Sequence, residues 1–350
     1  MELLQIMRKS KNSYRTHRVS LITDLHFRSD GVPGFLDTQV KTLLKLVNKK
    51  PPQTLVILGD IFEKRNPRGA ELLAFREFLE KVSCKDVYIL RGNHDTIRKD
   101  GTSDTTLSLF SDIATVVCDY EVHRIGGMDF DFIPHYENEE VIINHLSKTN
   151  NPVFGHFGFD GCVSNGPYAY ESYVKRKHFK KRLAFLGHIH RPKVYNNIHI
   201  LGTPYTNTFG EANNMKYYHE LLIFDGAIEV VRKPIEFGIK HVLCKMDELA
   251  QVAGRIKFKN FFTLLRVKLD SLDSYAEVEL RNKLFEKYSI NQLDIVFEDI
   301  FEKTHVNFIP SGVKLQWDES LIEDFISSSD TVFTEAELRK SLSKVKDNEN

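Results

Sequence analysis

The chain has 350 residues, of which 41% are hydrophobic and 27% are charged. These proportions are typical of a globular protein, and the length predicts roughly two domains. The 48 basic and 48 acidic residues give a formal net charge of zero, so the overall charge gives no indication of an anionic partner. The four cysteines are far apart and form no Cys-x-x-Cys motif, so neither a disulfide framework nor a thiolate zinc site is predicted.

No apolar run approaches the roughly 18 residues that a membrane-spanning helix requires, so no membrane association is expected. The apolar stretch at residues 3–7 is too short for a signal-peptide core, and it precedes the basic residues instead of following them. Residues 8–18 are basic and poor in acids, which is weakly similar to an organelle transit peptide. We expect a cytoplasmic protein that is not secreted, because widely spaced cysteines fit a reducing compartment.

The predicted elements begin with a strand near Arg18, after a basic extension at residues 1–17. This strand is the first of three short apolar runs in the first hundred residues, and each run predicts a strand buried on both faces. Segments with helical spacing separate them, so parallel pairing with right-handed crossovers is expected. The predicted strands lie at 19–23, 55–58 and 87–90, and the predicted helices at 37–47 and 70–79.

Farther along the chain, strand-like segments at 128–133 and 198–201 replace the helical intervals, and residues 221–231 have the pattern of a hairpin. The sheet is therefore expected to become mixed or to form two layers. Past Pro234 the pattern is that of a small separate α/β domain. Its predicted elements are strands at 261–269 and 293–297 and a helix at 275–288.

The last segment, residues 309–350, is acidic and has helical apolar spacing. Leu321 and Phe325 mark one apolar face, and Thr334 with Glu337 forms a capping box that starts a further helix. Such faces need a partner surface, either on this chain or on another.

Five of the apolar runs end in residues that can bind a metal ion. In open α/β sheets, ligands gather outside the carboxyl ends of the strands, so these side chains are expected to lie together. Their carboxylate, imidazole and amide groups are donors that suit divalent ions. The seven candidate metal ligands are Asp24, His26, Asp60, Asn93, His156, His188 and His190.

Asp60 stands alone at the end of its strand, and a carboxylate can bind a different metal through each oxygen. We therefore expect Asp60 to bridge two metals about 3.5–4 Å apart. Asp24, His26 and one of the two distal histidines would complete one site. Asn93, His156 and the other distal histidine would complete the second. Paired metals lower the pKa of bound water and neutralise charge on a phosphoryl oxygen, so the predicted reaction is hydrolysis of a phosphate ester.

His94 and Asp95 are the predicted catalytic residues. His94 follows the candidate ligand Asn93, on the expected substrate side of the site. A histidine there can donate a proton to the leaving alkoxide or stabilise the transition state. Asp95 is expected to orient the His94 ring by accepting its other N–H.

The order of these motifs resembles that of the calcineurin-like metallophosphoesterase superfamily. The motifs are Asp24-x-His26, Gly59-Asp60, Gly92-Asn93-His94-Asp95, Gly155-His156 and Gly187-His188-x-His190. Further features are most similar to the SbcD-type DNA-repair nucleases and their phage recombination counterparts. These are Gly59-Asp60-Ile61-Phe62-Glu63 followed by Pro67, the Asp at 95, and the stretch from Leu201-Gly202-Thr203-Pro204 to Phe209-Gly210-Glu211.

The resemblance covers residues 18–235 and implies an α/β fold with a two-layered mixed β-sheet core flanked by helices. A small α/β capping domain that contacts the DNA substrate would follow at 236–308, and C-terminal helices that bind an ATPase at 309–350. By position, the family pattern assigns His190 to the metal held by Asp24 and His26, and His188 to the other metal.

The implied function is that of a nuclease with two divalent metal ions, manganese or alternatively magnesium. It would act on DNA ends in recombination and repair, as a 3′-to-5′ exonuclease and structure-specific endonuclease. Its partner would be an SMC-like ATPase of the SbcC type, around a nuclease homodimer, in a bacterial cell or in the host cytoplasm of a phage. The loop at 63–66 lacks the Asp-Arg-Gly of phosphoprotein phosphatases, which counts against that activity.

Basic residues near the motifs are candidate DNA contacts. The run at 175–182 is the densest in the chain and precedes the strand that leads to His188 and His190. It is interpreted either as a site that neutralises DNA phosphates or as a solvated helix or loop face. The candidate DNA-binding residues are Arg65, Arg68, Arg98, Lys99, Lys175, Arg176, Lys177 and Arg191.

Three hypotheses for function follow from the sequence. The first is the DNA nuclease subunit. The second is a phosphodiesterase or phosphatase for small substrates on the same fold. The third is a catalytically silent subunit that serves the ATPase, against which the complete ligand set and His94 argue.

Overall fold

The computed structural model describes residues 16–29, 32–97, 104–166, 168–212, 214–269 and 274–297. In chain order, its strands are β1 (His17–Ile22), β2 (Thr54–Ile57), β3 (Asp86–Leu90), β4 (Thr115–Val117), β5 (Glu121–Ile125), β6 (Met128–Ile133), β7 (Val153–His156), β8 (Ala184–Gly187), β9 (Lys193–Tyr195), β10 (Ile198–Ile200), β11 (Tyr217–Phe224), β12 (Ala227–Pro234), β13 (Gly238–Lys245), β14 (Phe261–Leu269) and β15 (Gln292–Phe297). The α-helices are α1 (Phe35–Asn48), α2 (Gly69–Lys81), α3 (Glu139–Lys148), α4 (Leu249–Ile256) and α5 (Ser274–Lys287).

Two mixed sheets of six strands each form the larger part of the fold. The first has the order β12-β11-β1-β2-β3-β4, in which β1 to β4 are parallel and β11 and β12 pair antiparallel. The second has the order β5-β6-β7-β8-β10-β9, with parallel pairing from β6 to β10. The carboxyl ends of β1, β2 and β3 therefore lie along one edge of the first sheet, and those of β6, β7 and β8 along one edge of the second.

An apolar layer joins the two sheets. Val19 and Val56 of the first sheet belong to the same buried cluster as Phe130, Phe154 and Phe185 of the second. The rings of Phe130 and Phe154 stack with their centroids 4.8 Å apart. Complete burial of one such side chain contributes roughly 1.5–3 kcal/mol to folding, so this layer is a major part of the core.

Helices cover the outer faces of both sheets. Leu55 and Ile57 of β2 point away from the inter-sheet layer and pack with Leu43 of α1 and Phe75 of α2. On the second sheet, Leu146 of α3 packs in the outer cluster. Because both faces of β2 are covered, its sequence is apolar throughout instead of alternating with polar residues. The expected α/β class, with a two-layered mixed-sheet core flanked by helices, is confirmed.

A third sheet, with the order β13-β14-β15, is parallel throughout. Val242, Leu265 and Leu284 form its own core with the adjoining helices, whereas Ile239 and Leu264 pack in the cluster that also holds α1 and α2. These elements fall within the predicted capping segment, and the domain boundaries at 235 and 308 stay predictions. The C-terminal helices predicted within 309–350 and most of the basic extension lie outside the described residues.

Candidate active site

The structure brings the seven predicted metal ligands together at the carboxyl ends of the central strands. Four of them follow β1, β2 and β3 of the first sheet, and the other three end or follow β7 and β8 of the second. Their side chains form two groups. We call Asp24, His26 and His190 cluster A, and Asp60, Asn93, His156 and His188 cluster B.

In cluster A, two imidazole nitrogens and one carboxylate converge. Nε2 of His26 lies 3.0 Å from Nε2 of His190, which in turn lies 4.0 Å from Oδ1 of Asp24. The carboxylate of Asp24 is buried, and it accepts hydrogen bonds from Thr23 Oγ1 (2.7 Å) and from the backbone N–H of His188 (3.1 Å). These bonds fix the carboxylate within reach of both histidines.

In cluster B, the amide oxygen of Asn93 lies between two imidazoles. Its Oδ1 is 2.8 Å from Nδ1 of His188 and 3.2 Å from Nε2 of His156. Nε2 of His156 is also 3.3 Å from Oδ1 of Asp60. One amide oxygen, one carboxylate oxygen and two ring nitrogens therefore converge.

Asp60 lies between the two clusters. Its Oδ1 is 3.3 Å from Nε2 of His156 in cluster B, and its Oδ2 is 4.0 Å from Nε2 of His26 in cluster A. The backbone N–H of His94 donates to Oδ1 (2.8 Å), which fixes the plane of the carboxylate. Each oxygen thus serves a different cluster, as a bridging ligand must.

The backbone is strained where the ligands stand. Among the described residues, eight other than glycine have φ in the left-handed region, and four of these are predicted ligands: Asp24 (52°), His26 (45°), Asp60 (51°) and His188 (81°). Side chains with a Cβ pay of order 1–3 kcal/mol for such a conformation, and it persists where the surrounding structure enforces it. The strain therefore concentrates at the convergence of the strands.

Glycines allow the loops after β2 and β3 to approach each other. A Cβ at Gly59 would lie 2.5 Å from Nδ1 of His156, and a Cβ at Gly92 would collide with the Asp60 side chain. Asp95 then fastens the two loops, because its buried carboxylate accepts from the backbone N–H groups of Asp60 (2.8 Å), Ile61 (2.9 Å) and Gly92 (2.8 Å).

The expected pairing of Asp95 with the His94 ring was wrong. The Asp95 carboxylate is occupied by the three backbone donors, whereas Nδ1 of His94 lies 2.7 Å from the backbone carbonyl of Glu63. A carbonyl only accepts, so Nδ1 carries the proton and Nε2 is the nitrogen left for a substrate. The His94 ring stands edge-on to His26, with centroids 5.1 Å apart, beside cluster A. Asp95 is a positioning residue and not a catalytic one.

Carboxylates stand behind both histidines of cluster A. Nδ1 of His190 lies 2.8 Å from Oε1 of Glu211, and Nδ1 of His26 lies 3.3 Å from Oε2 of Glu63. Lys216 donates to the other oxygen of Glu211 at 2.6 Å. A carboxylate behind a ligating imidazole fixes its tautomer and raises its basicity.

Neutral oxygens stand behind the histidines of cluster B. Nδ1 of His156 lies 2.5 Å from the backbone carbonyl of Leu58, and Nε2 of His188 lies 3.2 Å from the hydroxyl of Tyr170. The ring of His135, which follows β6, stacks on His188 with centroids 5.9 Å apart. The two clusters thus have similar types of ligand, but different groups lie beside the outer ring nitrogens of their histidines.

The buried carboxylates shift the ionisation of the histidines. Burial alone would lower the pKa of His156, but the Asp60 carboxylate outweighs it and raises this pKa to about 9. In His188, burial and the neighbouring His156 lower the pKa to about 4. In Glu211, burial opposes ionisation, but His190 and Lys216 lower the pKa to about 2. The Asp60 carboxylate therefore favours a positive charge beside it, either a proton on His156 or a bound cation.

Two divalent metal ions fit this donor set. Each cluster offers carboxylate or amide oxygen and imidazole nitrogen within 4.8 Å, which are donors suited to first-row divalent ions. Nε2 of His26 and Nε2 of His190 lie 3.0 Å apart beside the Asp24 carboxylate, an arrangement that a shared cation would stabilise. Cluster A would hold one ion, cluster B the other, and Asp60 would contact both.

A family model describes the first half of the chain. The calcineurin-like phosphoesterase model matches residues 17–192, which contain β1 to β8 and both clusters. The chain belongs to this family. It is therefore a metallophosphoesterase, and its two ligand clusters indicate divalent metals.

Solved structures similar to this phosphoesterase share little sequence with it. Purple acid phosphatase PPD1 from seeds of yellow lupin (Lupinus luteus) is 14% identical, with a TM-score of 0.42 over 63% of this chain and 52% of that chain. A protein of unknown function from Aquifex aeolicus is 17% identical, with a TM-score of 0.30 over 48% and 88%. An archaeal phosphodiesterase is 11% identical, with a TM-score of 0.34 over 62% and 99%. The chain thus spans about half the length of the lupin phosphatase. No curated protein matches it.

The predicted DNA contacts of the phosphoesterase have different surroundings. Arg65 is held by Thr96, to whose side chain and carbonyl oxygens its guanidinium donates. Arg68 and Arg191 are exposed. Arg98 and Lys99 lie outside the described residues.

The basic run at 175–182 divides into two parts. Lys175, Arg176 and Lys177 are exposed at the start of a short 3-10 helix, whereas Arg182 is buried and forms an ion pair with Asp131 at 3.2 Å. The first part is available to a ligand, and the second stabilises the fold.

Several residues of the site were not found from the sequence. Lys216, Tyr170 and His135 received no role, and Glu63 and Glu211 were noted only as parts of family motifs. His135 follows an apolar strand-like run, as the candidate metal ligands do, so this sequence pattern could have identified it. Tyr170 and Lys216 reach the site from loops, where no period or motif marks them.

None of the helices in the described part of the chain combines the length and the apolar character that a membrane span requires.

Proposed function

We propose that this phosphoesterase is a two-metal DNA nuclease that hydrolyses phosphodiesters at DNA ends. The observation that carries the proposal is the position of Asp60, with one oxygen toward each ligand cluster and His94 held beside them. Manganese is the proposed metal and magnesium the alternative. Bound there, the pair of ions would activate water and neutralise charge on the phosphoryl oxygens.

The chain's own residues have separate tasks in this reaction. Asp60 and Asp24 are fixed by backbone and hydroxyl donors, so they need not reorganise when substrate arrives. His94 is held through its Nδ1–H, and in the doubly protonated form of the ring its Nε2 is placed to donate a hydrogen bond or a proton to the leaving oxygen. Glu63 and Glu211 orient the histidines of cluster A.

A loop next to the site supports a nucleic-acid substrate. Tyr170 reaches His188, and the flanking Tyr168 and Tyr173 are 73% and 78% exposed. Exposed aromatic rings interleaved with cations, here Arg176 and Lys177, are typical of surfaces that stack bases and bind a phosphate backbone. The loop therefore offers a path for a single strand that leads to cluster B.

Acidic residues beside this loop limit where a DNA strand can run. Five carboxylates line a depression beside Tyr173 and would repel a phosphate backbone. Nζ of Lys175 lies 3.9 Å from Oδ2 of Asp160, so part of its charge is already offset. Lys175 is therefore the weakest of the proposed contacts in this loop. The lining carboxylates are those of Glu137, Glu139, Glu140, Asp160 and Glu171.

The proposed partners follow from the resemblance to the SbcD-type nucleases. They are an SMC-like ATPase of the SbcC type, bound through residues 309–350, and a second copy of the nuclease. The apolar positions Leu321 and Phe325 in that acidic segment support the first of these interactions.

Digestion of an end-labelled linear duplex tests the proposal. Wild-type protein is compared with Asp60→Asn and with Asp129→Asn, a matched change at an exposed aspartate, in Mn²⁺, Mg²⁺ or EDTA. We expect manganese-dependent shortening by the wild type and by Asp129→Asn, and none by Asp60→Asn. Turnover of bis-p-nitrophenyl phosphate without any DNA cleavage, even with the ATPase added, would instead identify a phosphodiesterase for small substrates.

A further inference from the structure

A cavity of about 240 Å³ lies between the loops that follow the second sheet and the third sheet. Its described lining contains none of the residues of cluster A or B, but it adjoins cluster A through Lys216, whose Nζ donates to the backbone carbonyl of His190 at 3.1 Å. Its walls are apolar and aromatic, and four cations lie in them or on the rim. The lining includes Tyr205, Lys216, Phe237, Ile239, Lys240 and Arg255.

Lys216 is buried and has an ion-pair partner, whereas Lys240 is half-buried and has none among the described residues. Lys216 donates to Glu211 at 2.6 Å and forms an ion pair with it. Nζ of Lys240 donates to the backbone carbonyl of Asn214 at 3.3 Å and forms no ion pair within the described part of the chain. Glu236 also lines the cavity but is exposed and forms no ion pair with described residues.

Lys240 places a positive charge in the cavity wall without an ion-pair partner among the described residues. Its side chain is half-buried, and desolvation together with the nearby charge of Lys216 lowers its pKa to about 8. Arg255 and Lys257 add positive charge at the rim. The charge around the cavity therefore favours an anionic ligand.

The walls of the cavity restrict the chemical class of the anion that fits it. Phe237, Ile239 and Phe261, together with Tyr205, give the cavity apolar surfaces that a free inorganic anion would not use. At about 240 Å³ the cavity is somewhat smaller than typical small-molecule pockets, which measure about 300–1,000 Å³, so its ligand must be compact. A single phosphate group on a compact apolar or planar body satisfies both the cations and the walls.

We propose that this cavity is a binding site for a small phosphomonoester, such as a nucleoside monophosphate, with its phosphate on Lys240 and its organic body against Phe237 and Phe261. The cavity lining lacks the candidate metal ligands, so the proposed role of its ligand is that of an effector, which would act on cluster A through Lys216 and Glu211. The inference does not depend on the nuclease assignment.

Calorimetric titration of the full chain in EDTA tests the site without metals. The probes are inorganic phosphate and a nucleoside monophosphate, and the variants are Lys240→Met and Lys259→Met. Lys259 is an exposed lysine of the adjoining 3-10 helix and does not line the cavity, so it is the matched control.

We expect the nucleotide to bind the wild type and Lys259→Met at least about tenfold more tightly than phosphate does, and Lys240→Met to lose at least about tenfold of that affinity. Thermal unfolding without ligand shows whether Lys240→Met is folded, and its Tm should equal or exceed that of the wild type because a half-buried charge without an ion-pair partner among the described residues is removed. No binding by the wild type below about 10 mM, or equal affinity in both variants, overturns the proposal. Equal affinity for the two probes overturns the assignment of an organic body.

Discussion

The two ligand clusters differ in what stands behind their histidines. In cluster A, both outer ring nitrogens lie beside carboxylates, those of Glu63 and Glu211. In cluster B, they meet neutral oxygens, the carbonyl of Leu58 and the hydroxyl of Tyr170. A carboxylate makes the imidazole in front of it a more basic and better oriented ligand. The comparison indicates that cluster A would bind a metal ion more tightly than cluster B would.

Substitution of Asp60 tests what the clusters share. Asp60→Asn replaces the carboxylate with a neutral amide, which has only one oxygen and cannot offer an oxygen to each cluster. Both clusters should therefore lose metal. The loss of several kcal/mol of transition-state stabilisation corresponds to about 10³-fold or more in kcat/KM. Hydrolysis of bis-p-nitrophenyl phosphate and metal analysis measure the two effects, with Asp129→Asn as the control. An Asp60→Asn protein that keeps both ions would contradict the bridging role.

His94 belongs to neither cluster, and its substitution should separate catalysis from metal binding. His94→Gln removes the group that faces the leaving oxygen, and a hundredfold or greater loss of kcat, about the lower end for general acid catalysis, is expected. Manganese content after dialysis should match that of the wild type. If the variant lost metal in proportion to activity, His94 would be a ligand and the assignment of its free Nε2 would be wrong.

Substitutions of Glu211 and Tyr170 test the two clusters separately, because Glu211 contacts cluster A and Tyr170 contacts cluster B. Glu211→Gln removes the charge behind His190, and loss of such an outer partner costs about 10–100-fold in metal affinity. Tyr170→Phe removes only a neutral hydrogen bond from His188, so a change of less than about threefold is expected, near the net value of one such bond. Manganese titration of each protein in parallel measures both. Equal weakening by the two variants would remove the distinction between the clusters.

The exposed cations should have the smallest effects, because they lie in neither cluster and their proposed role is to contact DNA. Lys177→Ala is expected to weaken DNA binding evenly across sequences and to reduce the slope of log K against log salt by about 1. Lys175→Ala should do less, because Asp160 already offsets its charge. Fluorescence anisotropy of a labelled single strand at several salt concentrations gives these slopes. Unchanged slopes for both variants would move the DNA path away from this loop.

Much of the fold was predictable because β1, β2 and β3 are largely apolar on both faces, and because the apolar residues of the helices between them recur at helical intervals. The segments that the sequence left unassigned, such as β4 and β9, have three residues each and little hydrophobic signal. Their pairing depends on neighbours that are distant in the chain.

The convergence of the seven candidate ligands was predictable because they lie at the ends of five strands, and the strand order brings those ends together. The partner of the His94 ring was not, because the choice between Asp95 and the Glu63 carbonyl depends on loop geometry. Three backbone N–H groups converge on Asp95 only after the loops containing Gly59 and Gly92 have packed. Lys216 was missed for a similar reason, since it reaches Glu211 from a loop without a motif.

Calorimetric titration of the metal-free full chain with Mn²⁺ tests the central claim most directly, with Asp24→Asn and His156→Gln beside the wild type. The wild type should bind two ions in two resolved steps, Asp24→Asn should lose the tighter step, and His156→Gln should lose the weaker one. A single step in the wild type, or loss of the same step in both variants, would contradict an account in which two unequal clusters share Asp60.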